Sequence, residues 1–205
     1  MLLYLLVIFI STAIIAVVNI LTNPMNEPWY YYLLMTLAMV AAAFVVDAIV
    51  AIIGRRLPKK WMDPNKKIFT ASKKEMKFYE KIKVQKWKDK VPELGGFTDF
   101  HKNKLVDPWN NAYVSRYLLE ACYGVVIHLF SPFFSFLILL ADYKIYSGWS
   151  WTWLTIGLPV AIINAILIVL PTFILKYNIP KLKMLYEINR KNEERKAKQQ
   201  AEENK

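Results

Sequence analysis

The sequence is poor in the residues from which common soluble enzyme sites are built. It has one cysteine, Cys122, so no intramolecular disulfide can form. Its only histidines are His101 and His128, and no metal-ligand spacing surrounds them, so no metal site is expected. Its six glycines make neither a phosphate-binding loop nor a dinucleotide fingerprint, and no GxSxG elbow is present. These absences remove the common nucleotide-binding, metal-dependent and serine-hydrolase classes.

What the chain does have is apolar length and positive charge. Of its 205 residues 56% are hydrophobic, yet the formal net charge is +11, a balance foreign to ordinary soluble domains. About 20 apolar residues in helical conformation cross the hydrocarbon core while satisfying their own backbone hydrogen bonds. Four runs meet that length: Leu2 to Leu21, Tyr30 to Ile53, Tyr113 to Ala141 and Trp149 to Leu175. The first has no basic stretch before it and no small-residue cleavage site before Asn23, so it reads as a retained anchor. The expected fold is an all-α membrane protein of four transmembrane helices with an amphipathic interfacial helix on the cytoplasmic side. Its segments are residues 1–53 (spans one and two), 54–112 (basic, interfacial), 113–176 (spans three and four) and 177–205 (charged tail), together one integral membrane domain.

Charge orients the spans. Residues 54–110 hold 16 of the 27 Lys and Arg, and the tail from Lys176 holds nine more, whereas the turns TNPMNEP and DYKIYSGW carry only Lys144. The positive-inside rule then places both basic segments and both termini in the cytoplasm of a multi-pass cell-membrane protein. Trp29, Tyr30, Tyr31 and Tyr32, with Trp149, Trp151 and Trp153, are expected to form the outer aromatic belt.

Within the basic segment, Ser72 and Glu75 have capping-box spacing, so a helix should start there, and Pro92 with Gly95 and Gly96 should stop it. Met76, Phe78, Tyr79 and Ile82, then Trp87, Val91 and Leu94, recur among lysines, the pattern of a helix lying in the headgroup layer. Two uses are compatible with it: adhesion to the membrane surface, or a positive mouth of Lys81, Lys83, Lys86, Lys88 and Lys90 collecting a phosphate-bearing donor or an acidic carrier protein. Nucleic-acid binding is disfavoured, since no recognition motif accompanies the charge. The tail after Ile188 mixes both signs without an apolar stripe and reads as a fraying helix or a disordered segment.

The spans also carry polar residues. Inserting an ionisable side chain costs on the order of 2.5–3.5 kcal/mol, so such residues are functional candidates by default. Asp47 and Glu120 each lie seven residues from a cytoplasmic helix end, about 10 Å in at 1.5 Å per residue. His128 follows eight residues after Glu120, with Gly124 between them leaving room for a ligand. The competing explanation is adhesion, in which polar side chains hydrogen-bond across helices, and Asn19 and Asn164 suit that task. Cys122 reads as a small packing residue rather than a nucleophile.

Four patches, GRRLP at 54–58, KWKDK at 86–90, Glu120 with His128, and YNIPKL at 177–182, occur in an order that resembles the glycosyl-4,4'-diaponeurosporenoate acyltransferase family. The family's third-span pattern, E-T-x-R-A-E-x-x-H, keeps only its first glutamate and its histidine here. The resemblance implies an integral membrane O-acyltransferase that moves a fatty acyl chain from an acyl thioester to a sugar hydroxyl of a glycolipid or glycosylated carotenoid. It implies His128 and Glu120 as catalytic residues, and Asp47, Arg56, Lys86, Trp87, Lys88 and Asn178 as substrate-binding residues. The donor would be acyl-CoA or an acyl-carrier protein arriving from the cytoplasm, with no permanently bound cofactor, and the acceptor a membrane lipid. Another lipid-modifying enzyme and a non-catalytic scaffold are the alternative readings; transport ranks below both, as no inverted repeat is present.

Overall fold

Apolar composition drives four long helices. In the computed structural model, which describes residues 2–91, 105–140 and 151–203, helices α1 (Leu2–Thr22) and α2 (Trp29–Arg55) form an antiparallel hairpin. Helices α3 (Lys73–Lys81) and α4 (Val84–Trp87) are short, α5 runs over Asn111–Phe134 and α6 over Leu158–Glu203. Four stretches are long and apolar enough to cross a membrane: Tyr4–Thr22, Trp29–Arg55, Asn111–Leu140 and Trp153–Glu203. No strand occurs among the described residues. The expected stop at Pro92 to Gly96, Leu94, His101, the Lys144 turn and Trp149 lie outside the described residues.

The chain forms two compact units, and α5 and α6 contribute to both. The first comprises Met1–Leu57 and Val126–Leu170. Its core joins Ile15, Tyr32, Met35, Met39, Ala43, Ile138, Ile156 and Val160, while Phe9, Leu21, Phe44, Val45, Phe133 and Ile166 point outward, as a lipid-facing surface requires. Close helix approach is secured by glycine: a Cβ on Gly54 would lie 2.6 Å from Ile127 Cγ1. Tyr32 departs from the belt expectation. It is fully buried, donates its hydroxyl to Asn23 Oδ1 at 2.6 Å and accepts from the Met25 amide at 3.0 Å, clamping the α1–α2 turn. Trp29 and Tyr30 remain exposed.

A π-helical turn, Trp153–Gly157, precedes α6. Such a turn disrupts the regular backbone ladder. Asn19, buried on α1, donates to the Thr155 carbonyl at 3.0 Å, a hydrogen bond between helices.

The second unit comprises Pro58–Val125 and Pro171–Lys205. The capping box forms as its spacing predicts: Glu75 N–H donates to Ser72 Oγ, and Ser72 N–H to Glu75 Oε2. The single amphipathic helix does not. Lys83 takes a left-handed conformation (φ 53°), which ends α3 and restarts the chain as α4, followed by a 3-10 turn, Lys88–Lys90. Of the apolar residues in this stretch, Tyr79, Val84 and Val91 are buried, whereas Phe78 stays exposed. The tail is helical as far as Glu203, continuous with the fourth span.

Candidate active site and lipid groove

In the first unit the polar residues of three spans converge. Asn164 of α6 spends both amide hydrogens, donating to Asp47 Oδ2 of α2 at 2.9 Å and to Ser135 Oγ, just beyond α5, at 3.0 Å. Ser135 in turn donates to the Ser131 carbonyl at 3.1 Å. Asp47 Oδ1 is buried without a partner. Asp47, expected to bind substrate, is therefore tied to Asn164, which the sequence marked only as an adhesive residue.

Beside this cluster, residues of α1, α2 and α6 line a shallow, partly open groove. Its walls are apolar apart from Ser11, Thr12 and Asn164.

His128 lies on α5 in the same unit. The Ile168 backbone of α6 accepts a hydrogen bond from the ring, and Nδ1 is buried with no partner. An imidazole that donates through Nε2 carries its lone pair on Nδ1, the atom that can take a proton. Glu120 is half-buried on α5 in the second unit. Gly124 does not leave a ligand-sized space: Leu175 Cδ1 would lie 2.7 Å from an added Cβ, so the missing side chain is filled by helix packing.

In the second unit, α3 and α4 are anchored to α6. The Lys176 ammonium pairs with Glu75 Oε1 while Oε2 of the same carboxylate caps α3, so one side chain serves both contacts. Burial alone would raise the Glu75 carboxyl, but the hydrogen bonds from Lys176 and Ser72 prevail and hold it below its ordinary value of 4.5. Tyr79, pushed up to about 12 by burial and by the Glu75 charge, stays a neutral phenol. Its ring and that of Phe78 pack on Phe173.

Gln85, next to the KWKDK patch, donates to the Tyr177 hydroxyl of YNIPKL, and the Lys181 ammonium lies 3.9 Å over the Tyr177 ring. The residue just before KWKDK thus meets the YNIPKL patch. Pro180, inside α6, has no N–H to return to the Lys176 carbonyl.

The remaining expected ligands fall in both units, Arg56 in the first and Lys86, Trp87, Lys88 and Asn178 in the second. Arg56 caps α2 and is exposed, Lys86 is exposed on α4, and Lys88 and Asn178 are half-buried. Trp87 commits its indole N–H to the Ile82 carbonyl at 2.9 Å, so what it offers a ligand is its ring. Cys122 is fully buried in helix packing. No group of three or more His, Cys, Asp and Glu that could hold a metal occurs among the described residues.

No curated protein and no solved structure matches this chain. A family model described as glycosyl-4,4'-diaponeurosporenoate acyltransferase matches residues 58–188, well over half of the sequence and including Glu120, His128, Asn164 and Tyr177, and the chain belongs to that family.

Proposed function

We propose that this protein is a membrane O-acyltransferase that transfers a fatty acyl chain from an acyl thioester to a sugar hydroxyl of a glycolipid or glycosylated carotenoid. The observation that carries the reading is His128: it falls inside the family-matched stretch and holds a buried, unpartnered Nδ1 within an apolar span. Acyl transfer to an alcohol needs such a base. His128 takes the hydroxyl proton as the oxygen attacks the thioester carbonyl; the C–O bond forms, the C–S bond breaks, and the proton returns to the departing thiolate. Glu120 binds the sugar or steadies the reacting groups. Lys86 and Lys88 draw the phosphates of acyl-CoA or an acyl-carrier protein, with Trp87 and Asn178 of the same unit as further donor-binding candidates.

The charge asymmetry of the loops supports a cell-membrane orientation with both termini and the donor entrance in the cytoplasm. The exposed Trp61, Ile68 and Phe78 among lysines support contact of the basic segment, from residue 61 into α3, with the headgroup layer.

A non-catalytic scaffold is favoured by one observation, the use of Asp47, Asn19 and Asn164 in linking helices. Mass spectrometry of lipids from cells lacking and overexpressing the chain separates the two readings. The enzyme yields a lipid pair differing by one acyl unit, the heavier member appearing only with the protein. A scaffold yields no such pair.

A further inference from the structure

The groove between α1, α2 and α6 has an unusual hydrogen-bonding balance. Ser11 donates to the Val7 and Ile8 carbonyls at 2.8 and 3.0 Å, and Thr12 to the Ile8 carbonyl at 2.7 Å, so both hydroxyl protons are consumed by their own helix. Asn164 has spent both amide hydrogens on Asp47 and Ser135. Ser135 uses its single proton on the Ser131 carbonyl and accepts from Asn164, an arrangement in which the amide presents N–H to Ser135. The Asn164 carbonyl oxygen is left without a hydrogen bond among the described residues, and it is the amide atom still free to accept in the groove lining. The polar groups lining the groove therefore have acceptors to offer and no donor.

We propose that this groove is the binding site of a hydroxyl-bearing lipid: its chain lies along Ile8, Ile15, Phe44, Val160 and Leu167, and its hydroxyl donates to Asn164 Oδ1. The lining residues all lie within the membrane-spanning stretches, so the occupant comes from the bilayer. Hydrogen-bond chemistry selects among bilayer molecules. An acyl thioester or an ester carbonyl brings only acceptors, which the groove repels, whereas an alcohol brings the donor that it lacks. Identifying this lipid with the acyl acceptor rests on the function proposed above; binding of the lipid does not.

The test uses the full-length protein in phosphatidylcholine vesicles and two photoactivatable probes, a long-chain alcohol carrying a diazirine and its methyl ether of the same length. After irradiation, peptide mapping locates the label. The expected result is alcohol label concentrated on the groove residues of α1, α2 and α6, with the ether labelling these roughly three- to tenfold less, the worth of one hydrogen bond. Ser11→Phe, which places a bulky ring at a groove-lining position of α1, should abolish groove labelling while its melting temperature and its labelling on outward faces stay close to wild type. Asn164→Leu should erase the difference between the two probes. Label spread evenly over all lipid-facing residues, or equal labelling of the groove by both probes, would overturn the proposal. Groove labelling in a protein without acyl transfer would sink the enzymatic reading alone, and acyl transfer without groove labelling would sink this one.

Discussion

Asn164 donates to Asp47 across 117 residues of sequence at 2.9 Å, joining α6 to α2 inside the apolar unit. The bond gives a carboxyl group in a membrane span a partner, and the second amide hydrogen extends the link to Ser135. A buried acceptor deprived of its donor costs more than the bond itself is worth, about 1–3 kcal/mol. Asn164→Ala should therefore destabilise the protein by that amount in a thermal or denaturant melt. Asp47→Ala should be destabilising likewise, and Asp47→Ala combined with Asn164→Ala should cost less than the sum of the two, because neither polar group is then left facing a missing partner. Additive losses in this double-mutant cycle would show that the two residues are not coupled.

Gly54 and Gly124 are both close-approach positions, but their neighbours differ in stiffness. The atom nearest a Gly54 Cβ is Ile127 Cγ1, close to a β-branched backbone, whereas at Gly124 it is the terminal Cδ1 of Leu175. Gly54→Ala should cost about 1–3 kcal/mol through overpacking, and Gly124→Ala clearly less, since Leu175 can change rotamer. Melting temperatures of the two variants in detergent would rank them, and the reverse order would contradict the packing described here.

Lys83 holds a left-handed conformation that favours glycine. Lys83→Gly relieves this strain where the chain turns from α3 to α4, and should raise stability by up to about 1 kcal/mol. A Lys83→Val variant, β-branched at the same backbone angles, should lower it. Equal melting temperatures for wild type, glycine and valine variants would argue against a left-handed turn at this position.

The Glu75 carboxyl titrates below its ordinary value because Lys176 and Ser72 bond to its charged form. A depressed carboxyl contributes stability that is present above its unfolded value and lost as pH falls through its folded one. Protection of α3 against hydrogen exchange should thus hold at neutral pH and fall away only on acidification below 4.5. Glu75→Gln should show weakened protection already at neutral pH, with little further loss on acidification. A wild-type α3 that loses protection between pH 6 and 5, in the ordinary histidine range, would point to another group.

Much of this was legible in the sequence, for physical reasons that differ by element. The four spans follow from apolar length, since a bilayer accepts little else, and the start of α3 follows from the Ser72 and Glu75 spacing. The break at Lys83 had no signal, because the apolar positions on both sides continue a helical rhythm and lysine does not announce a left-handed turn. The tail looked weak because it lacks an apolar stripe, yet its Glu, Lys, Arg, Ala and Gln are good helix formers extending an existing helix, which needs no new nucleus. Asp47 was readable as a special residue but its partner was not, because 117 residues separate it from Asn164. Tyr32 looked like its neighbours Tyr30 and Tyr31; only the fold of the α1–α2 turn directs its hydroxyl to Asn23. The pairing of Glu75 with Lys176 was hidden behind the capping role that the same carboxylate also performs.

The central claim, that His128 is the base of an acyl transfer, is tested most directly with purified protein in vesicles, a radiolabelled acyl-CoA and a glycosylated lipid acceptor. Wild type should form a product heavier than the acceptor by one acyl unit. His128→Ala, melting as wild type does, should slow its formation by about 100-fold or more, the usual contribution of a general base. Product formed at the wild-type rate by His128→Ala would contradict the assignment of the base, and no product from wild type with acyl-CoA or acyl-carrier protein would contradict the acyl transfer itself.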